Sequence, residues 1–399
     1  MKIALVHDFL REYGGAERVL EAIHEMWPEA PLYTSFVDWG SLGDQGYRFK
    51  NWDIRTSWVQ HHWFIKKFIS PLRFLAPKIW GSFDLSDYDV VISSSGWFMC
   101  RGVALNLSLR AKRSNLSDQG IAASPAAPRN DIKNRSLHIC YIHHPPRNLY
   151  GYATGSDLQK YWPVRFYAAI INFFLRHYDF ETAQKVDYFI ANSEETARRV
   201  QKFYRREAAV IYPPINSPQP PLKLRGGKGG VTSERSYFLS VGRLTYSKRV
   251  DLAIGACNKL KLPLKIVGTG KEEAFLKSIA GPSVEFLGSV SDEELAGLYA
   301  GAKALIFCAL DEDFGMVPVE AMAHGTPVIA LAQGGIVETV MDGKTGILFY
   351  EPTVASLIKA IRKLKGDWGD RCRVQAEKFG KERFKKELRK FVKKSYNKL

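Results

Sequence analysis

Along the first half of the chain, short apolar runs alternate with longer stretches whose apolar residues return every three or four positions. Runs of this length, bounded by glycine, proline or charge, read as buried strands, and the longer period reads as helix. Strands are expected at Lys2–Phe9, Leu32–Phe36, Val90–Ser94, His138–His143, Tyr188–Asn192 and Ala209–Tyr212. Helices are expected at Gly15–Trp27, at Trp162–Val186 with a strongly aromatic face, and at Glu194–Tyr204. Tyr212-Pro213-Pro214 then ends regular structure, because proline lacks an N–H and restricts the residue before it.

The second half alternates more cleanly. Strands at Tyr237–Val241, Leu264–Val267, Val284–Leu287, Ala304–Phe307, Pro327–Ala330 and Gly346–Phe349 are separated by helical patterns. Those patterns cover Arg249–Leu260, Glu272–Ile279, Asp292–Ala300, Val317–His324, Gly335–Met341 and Thr353–Leu364. Strand–helix alternation implies parallel sheets covered on both faces. The expected fold class is therefore α/β, with two Rossmann-like doubly wound domains at residues 1–212 and 237–369. A linker at 213–236 joins them, and a basic helical segment follows at 370–399.

A length of 399 residues allows two separate cores, and the apolar fraction of 46% is that of a globular protein. The five cysteines show no C-x-x-C or metal-ligand spacing, which favours a reducing, cytoplasmic setting. Met1–Asp8 is too short an apolar segment for a signal peptide, and no run reaches the ~20 residues of a spanning helix. The formal charge is +16, yet residues 108–136 (net +4), 217–230 (net +3) and 381–399 (net +7) supply most of it. The first two segments lack any hydrophobic period and read as exposed, poorly ordered insertions. The excess is peripheral, so no nucleic-acid groove is expected. His61–Trp80 interleaves aromatics with four Lys or Arg and no acid, so it reads equally as a core-packed helix or as a segment lying on anionic lipid, as does the basic C-terminus.

Chemistry concentrates in C-A-L-D-E-D-F-G-M-V-P-V-E-A-M-A-H-G-T-P, residues 308–327. Glu312 lies in a loop leaving one strand and Glu320 on the helix that follows, both at the ligand crevice of an open α/β sheet. Backbone N–H groups around Phe314, Gly315, Met316 and Val317 suit an anion, and the two carboxylates suit sugar hydroxyls. On spacing alone, the same acids also fit an ordinary surface loop and helix. Arg243 and Lys248 follow the first strand of the second half, where cations can stabilise a departing diphosphate without a metal. Gly14-Gly15 opens the first helix, and Gly268, Gly270 and Val290 are candidates for a base pocket. His143 and His144 end a strand, where imidazoles can orient a hydroxyl or simply sit satisfied in the core.

The run E-D-F-G-M-V-P-V-E-A-M-A-H-G-T-P-V-I-A closely resembles the Glu-x7-Glu signature of retaining glycosyltransferases of family 4, which have the two-domain GT-B fold. S-V-G-R-L-T-Y-S-K-R-V-D resembles that family's G-R-L-x-x-x-K-x-x-D segment, and G-G-A-E-R-V its acceptor-domain loop. The resemblance implies that Glu312 contacts the sugar, Glu320 the ribose, and Arg243, Lys248 and Gly15 the diphosphate. It implies a final helix crossing back to the first domain. Gly334-Gly335 with Glu338 resemble the loop that meets the donor sugar or phosphate. His143 matches the family histidine, with His144 and Arg147 beside it in the expected acceptor site, although P-P-R-N-L-Y departs from the family pattern there. Asp311 and Asp313 match a D-x-D by letter but fall inside the sugar loop, so neither a metal nor another cofactor is expected. The first half most resembles bacterial mannosyltransferases of O-antigen and exopolysaccharide assembly. That implies GDP-mannose as donor and a glycan or lipid-linked acceptor at the inner membrane face. A UDP-sugar transferase, a GT-B nucleotide-sugar epimerase and a non-catalytic binding protein are the alternatives.

Overall fold

The computed structural model describes residues 1–105, 136–153, 161–215 and 235–398. The insertions read at 108–136 and 217–230 therefore lie outside the described residues, save Ser136. That residue is buried, with its hydroxyl 3.4 Å from the Leu85 carbonyl oxygen.

Thirteen strands among the described residues form two parallel sheets. The first holds β1 (Ile3–His7), β2 (Leu32–Thr34), β3 (Ile54–Thr56), β4 (Val90–Ser95), β5 (Leu137–Ile142), β6 (Tyr188–Ala191) and β7 (Ala208–Val210). Their spatial order is β3-β2-β1-β4-β5-β6-β7. The second holds β8 (Tyr237–Val241), β9 (Leu264–Val267), β10 (Val284–Gly288), β11 (Ala302–Phe307), β12 (Val328–Leu331) and β13 (Gly346–Phe349), in the order β10-β9-β8-β11-β12-β13. Both orders reverse beside the first strand, between β1 and β4 and between β8 and β11. Such a reversal opens a crevice at the strands' carboxyl ends. Strand β3 is the one the apolar pattern does not announce. Its three residues, I-R-T, pair only with β2 at the sheet edge, and none is fully buried.

Neighbouring residues of a strand face opposite sides of its sheet. Ile3, Leu5, Ile92, Ile139 and Tyr141 lie on one side, covered by helix α1 (Gly15–His24). Ala4, Val6 and Val91 lie on the other, packed with Trp80, Phe98 and Leu175 of α2 (Trp162–Lys185). Helix α3 (Glu194–Tyr204) closes the domain. In the second domain α4 (Val250–Leu260), α5 (Met316–Ala323) and the short α6 (Ile336–Thr339) flank the crevice.

Helix α2 carries its aromatic face outward rather than into the core. Its buried residues are Asn172, Leu175, Asp179, Thr182 and Ala183, while Trp162, Phe166, Phe173 and Phe174 are exposed. The inner side is occupied by a polar knot. Asp179 pairs with Arg101, both side chains fully buried, and accepts from Tyr150 Oη at 2.7 Å, while Arg101 donates to Tyr204 Oη at 3.0 Å. A buried charge pair needs such added hydrogen bonds to offset its desolvation.

The last helix, α7 (Lys381–Tyr396), crosses back to the first domain. Phe384, Leu388 and Val392, one turn apart, join Ile3, Leu5 and Tyr141 in a single cluster. Lys381 and Lys385 hold Glu25, at the end of α1, at 2.5 and 2.7 Å. Because Phe384 is fully buried, Phe384→Ala should cost about 3–5 kcal/mol. Urea unfolding followed by near-ultraviolet circular dichroism should show the loss, and an exposed change such as Lys386→Ala should leave the midpoint in place.

Candidate active site

The two crevices face each other, and the loop after β11 lies between them. Asp311, Glu312 and Asp313 sit on it in succession, and each is held by a different partner. Glu312 accepts from Lys248 Nζ at 2.6 Å. Asp311 accepts the Ala153 N–H at 2.9 Å from the other domain. Asp313 is gripped by two arginines of that domain, Arg147 at 2.5 Å on one oxygen and Arg199 at 2.6 Å on the other. Arg199 is itself buried, 2.9 Å from Glu195 and over the Tyr152 ring.

The loop's path is fixed from behind. Gly334 has φ +64°, and a Cβ there would fall on the Glu312 carbonyl oxygen; a Cβ on Gly335 would strike that of Asp313. The Gly335 N–H instead donates to the Glu312 oxygen at 2.9 Å. Side chains are excluded here by the close passage of one backbone over another. Glu338, next along α6, accepts the Glu194 and Glu195 N–H groups at 2.8 Å each. It thus caps α3 of the opposite domain, satisfying amides that have no partner within a helix. Burial raises the Glu338 pKa despite these amides. Glu338 therefore spans the cleft as a tie between domains.

Glu320, on α5, is buried and accepts from Tyr299 Oη at 3.3 Å. Arg18 of α1 reaches across the cleft to pair with it, and Glu320 raises the Arg18 pKa above its ordinary value. Beside Arg18, Gly15 meets Met316 so closely that a Cβ there would lie 2.8 Å from the thioether sulfur. Met316 thus opens α5 against the glycine that opens α1, with Val317 next along the helix. Arg243 is exposed and pairs with Glu12 at 2.7 Å. Gly268 and Gly270 lie against the Gly242 and Leu244 backbone, next to Arg243, and Val290 packs on the second-domain core. Phe314 is buried, its ring against Tyr212 and Phe379.

His143 is buried, with Nε2 2.8 Å from the Ser94 hydroxyl. Ser94 also meets His7, whose Nε2 lies 3.3 Å from Glu17. Burial, then His7 and His144, hold the His143 pKa well below the usual value, so the ring is neutral near pH 7. Burial likewise lowers that of the half-buried His144. Asp8 is buried nearby and accepts the Gly96, Phe98 and Cys100 N–H groups at 3.0 Å each, shaping the turn after β4. Sequence reasoning singled out neither Asp8, Arg18 nor Arg199, and it gave Asp313 and Glu338 no cross-cleft role. Their partners lie many residues away, and no local pattern reveals them. No group of three or more His, Cys, Asp or Glu fit to hold a metal occurs among the described residues.

Residues 227–383 match the model of the family "Glycosyl transferases group 1". An uncharacterized glycosyltransferase of Methanocaldococcus jannaschii is 33% identical over 151 residues, covering 36% of this chain and 39% of that protein. A D-inositol 3-phosphate glycosyltransferase of Streptomyces bingchenggensis is 30% identical over 226 residues, covering 49% of this chain and 50% of its own length. The chain thus spans half or less of these curated relatives. Among solved structures, Anabaena HepE in complex with UDP superposes with a TM-score of 0.64 at 16% identity, over 99% of this chain and 100% of that one. That likeness establishes the two-domain fold.

Two outcomes follow from the charges. Asp313→Ala leaves Arg147 and Arg199 without their shared partner, and breaking such a pair typically costs about 3–5 kcal/mol. It should lower the melting temperature and increase the radius of gyration in small-angle scattering as the domains part. Burial opposes ionisation of Glu312, but Lys248 and Arg147 outweigh it and hold its pKa below 4.5. A depressed carboxylate pKa adds stability above the unfolded value and loses it as pH falls through the folded one. Glu312→Gln should therefore flatten the fall of melting temperature below about pH 4.5.

Proposed function

We infer that this chain, with a glycosyltransferase group 1 domain at residues 227–383, moves a glycosyl group from a nucleoside diphosphate to an acceptor held between its domains. One observation carries the reading. Glu312 and Glu320 stand at the carboxyl end of β11, beside Lys248 and opposite the glycine turn of α1. Polyol-binding carboxylates and diphosphate-binding cations are thus adjacent, as a nucleotide sugar requires.

In this reading Glu320 takes the ribose hydroxyls once Arg18 releases its carboxylate, and Glu312 takes the sugar. The freed Arg18 lies beside Gly15, where α1 presents backbone N–H groups to the diphosphate. Lys248 and Arg243 neutralise the charge that builds on the departing diphosphate, an effect strongest in a water-poor cleft. Glu312, kept ionised by Lys248, favours positive charge developing on the sugar. The configuration at the sugar carbon is retained, and no nucleophile is assigned. His143, neutral and buried behind the cleft, can position the acceptor side only as a hydrogen-bonding ring. The acceptor is a lipid-linked or polysaccharide glycan. Resemblance of the first half favours GDP-mannose as donor. The second reading, a UDP-sugar, is favoured by the UDP named with the HepE structure.

The transfer needs no divalent metal, because the Asp311 and Asp313 carboxylates are committed to Ala153, Arg147 and Arg199. Turnover with saturating donor should fall by roughly 10²-fold or more in Glu320→Ala and in Lys248→Ala, with folding preserved. Near-normal turnover in either variant would remove that residue from the site. Activity should survive EDTA; loss that Mn²⁺ or Mg²⁺ restores would make Asp311 and Asp313 metal ligands instead. A thermal-shift series with GDP, UDP, GDP-mannose and UDP-glucose should identify the base, since a ligand of the folded state raises the melting temperature.

A further inference from the structure

The outward face of α2 is unusual for a helix of a soluble α/β domain. Trp162, Phe166, Ile170, Phe173 and Phe174 recur at helical spacing on one side and are 71, 65, 45, 67 and 65% exposed. At 1.5 Å per residue this stripe runs for about 18 Å. Alongside lies the segment from Trp63 to Phe74. Arg73 of that segment donates to Asn172 of α2 at 2.9 Å, and Tyr167 donates to the Pro71 carbonyl oxygen. Trp63, Phe64, Phe68 and Phe74 of this segment are exposed as well, at 69, 53, 40 and 44%. The two elements make one apolar surface. Such a patch on a folded protein marks a contact site.

Charge identifies the partner. Lys67, Lys78, Arg165 and Arg176 are exposed along the patch, and residues 58–80 and 161–178 contain no Asp or Glu. A second copy docked face to face would set these cations against their own images, as a two-fold contact requires. A surface of anionic headgroups over acyl chains matches both the charge and the aromatic rings, which favour that boundary. We propose that the face formed by α2 and residues 63–74 docks on an anionic lipid surface.

The sheet decides against the other basic segment joining it. Leu175 of α2 packs with Ala4, Val6 and Val91, whereas Phe384 of α7 packs with Ile3, Leu5 and Ile92. Alternate residues face opposite sides, so the two helices lie on opposite faces of one sheet. One planar membrane meets α2 or α7, and the exposed aromatics are on α2. The basic residues of α7 serve instead to hold Glu25 and to keep that helix solvated.

The full chain should cosediment with phosphatidylcholine vesicles that contain phosphatidylglycerol, weakly with phosphatidylcholine alone, and less as salt is raised. Lys67→Glu with Arg165→Glu should weaken binding to the anionic vesicles by roughly tenfold or more. Phe166→Ser with Phe173→Ser should do the same, while Lys386→Glu with Lys390→Glu on α7 should change it less than about twofold. Because all these side chains are exposed, melting temperatures should stay near that of the parent chain. As a check that needs no folding comparison, brominated lipid should quench tryptophan fluorescence of the parent chain and lose most of that effect in Trp63→Phe with Trp162→Phe. Binding that persists in both patch variants, or that disappears only with the α7 changes, overturns the assignment. So does a concentration-dependent dimer that the patch variants abolish, since the face would then belong to a second copy.

Discussion

Negative charge crowded onto one loop governs how the halves of this molecule meet. Asp311, Glu312 and Asp313 are consecutive, and Glu320 stands on the helix just beyond. Three of these carboxylates are paired with cations, and the fourth, Asp311, accepts the Ala153 N–H. The second domain supplies one of the cations, Lys248, and the first domain supplies Arg147, Arg199 and Arg18. Most of the contacts that hold these carboxylates are therefore also contacts between the domains. Exposed pairs such as Arg243–Glu12 contribute little to that hold, while the buried grip on Asp313 contributes most. The groups read as binding a donor are the same ones that hold the cleft together, so a ligand's hydroxyls and phosphates must compete with contacts already made.

The layout of both sheets was legible because parallel strands buried on two faces are nearly continuous apolar runs. Twelve of the thirteen described strands fall where such runs stand; Ile54–Thr56 escapes because an edge strand need not be apolar. The loop acids and their neighbouring lysine were legible for another reason, since they lie within short segments whose spacing is set by local backbone. Arg18, Arg199 and Glu338 were not. Each acts on a residue of the other domain, more than a hundred positions away in sequence, and only the tertiary fold brings them together. Phe314 shows the opposite failure. It stands inside the richest motif, yet its ring is buried among Tyr212 and Phe379 near the crossing between domains.

The aromatic period of α2 marks a face turned away from the core. The core position is held instead by Leu175 and by the Asp179–Arg101 knot. A spacing rule locates a face without saying which solvent that face meets. Here the two sides of the first sheet diverge. One is sealed by α1 and α7, and the other carries a rim of rings and cations outward.

The sealing of the first sheet by α7 also orders events on the ribosome. Phe384, Leu388 and Val392 belong to the cluster of Ile3, Leu5 and Tyr141, yet roughly 180 residues separate Val392 from Ile211 at the end of that domain. At synthesis rates of about 5–20 residues per second, the unfinished face waits about 10–40 seconds for its cover. Throughout that interval the part of this face that α1 does not cover is available to chaperones, or to another nascent chain. Completion of this core thus waits for a helix made long after the strands it covers.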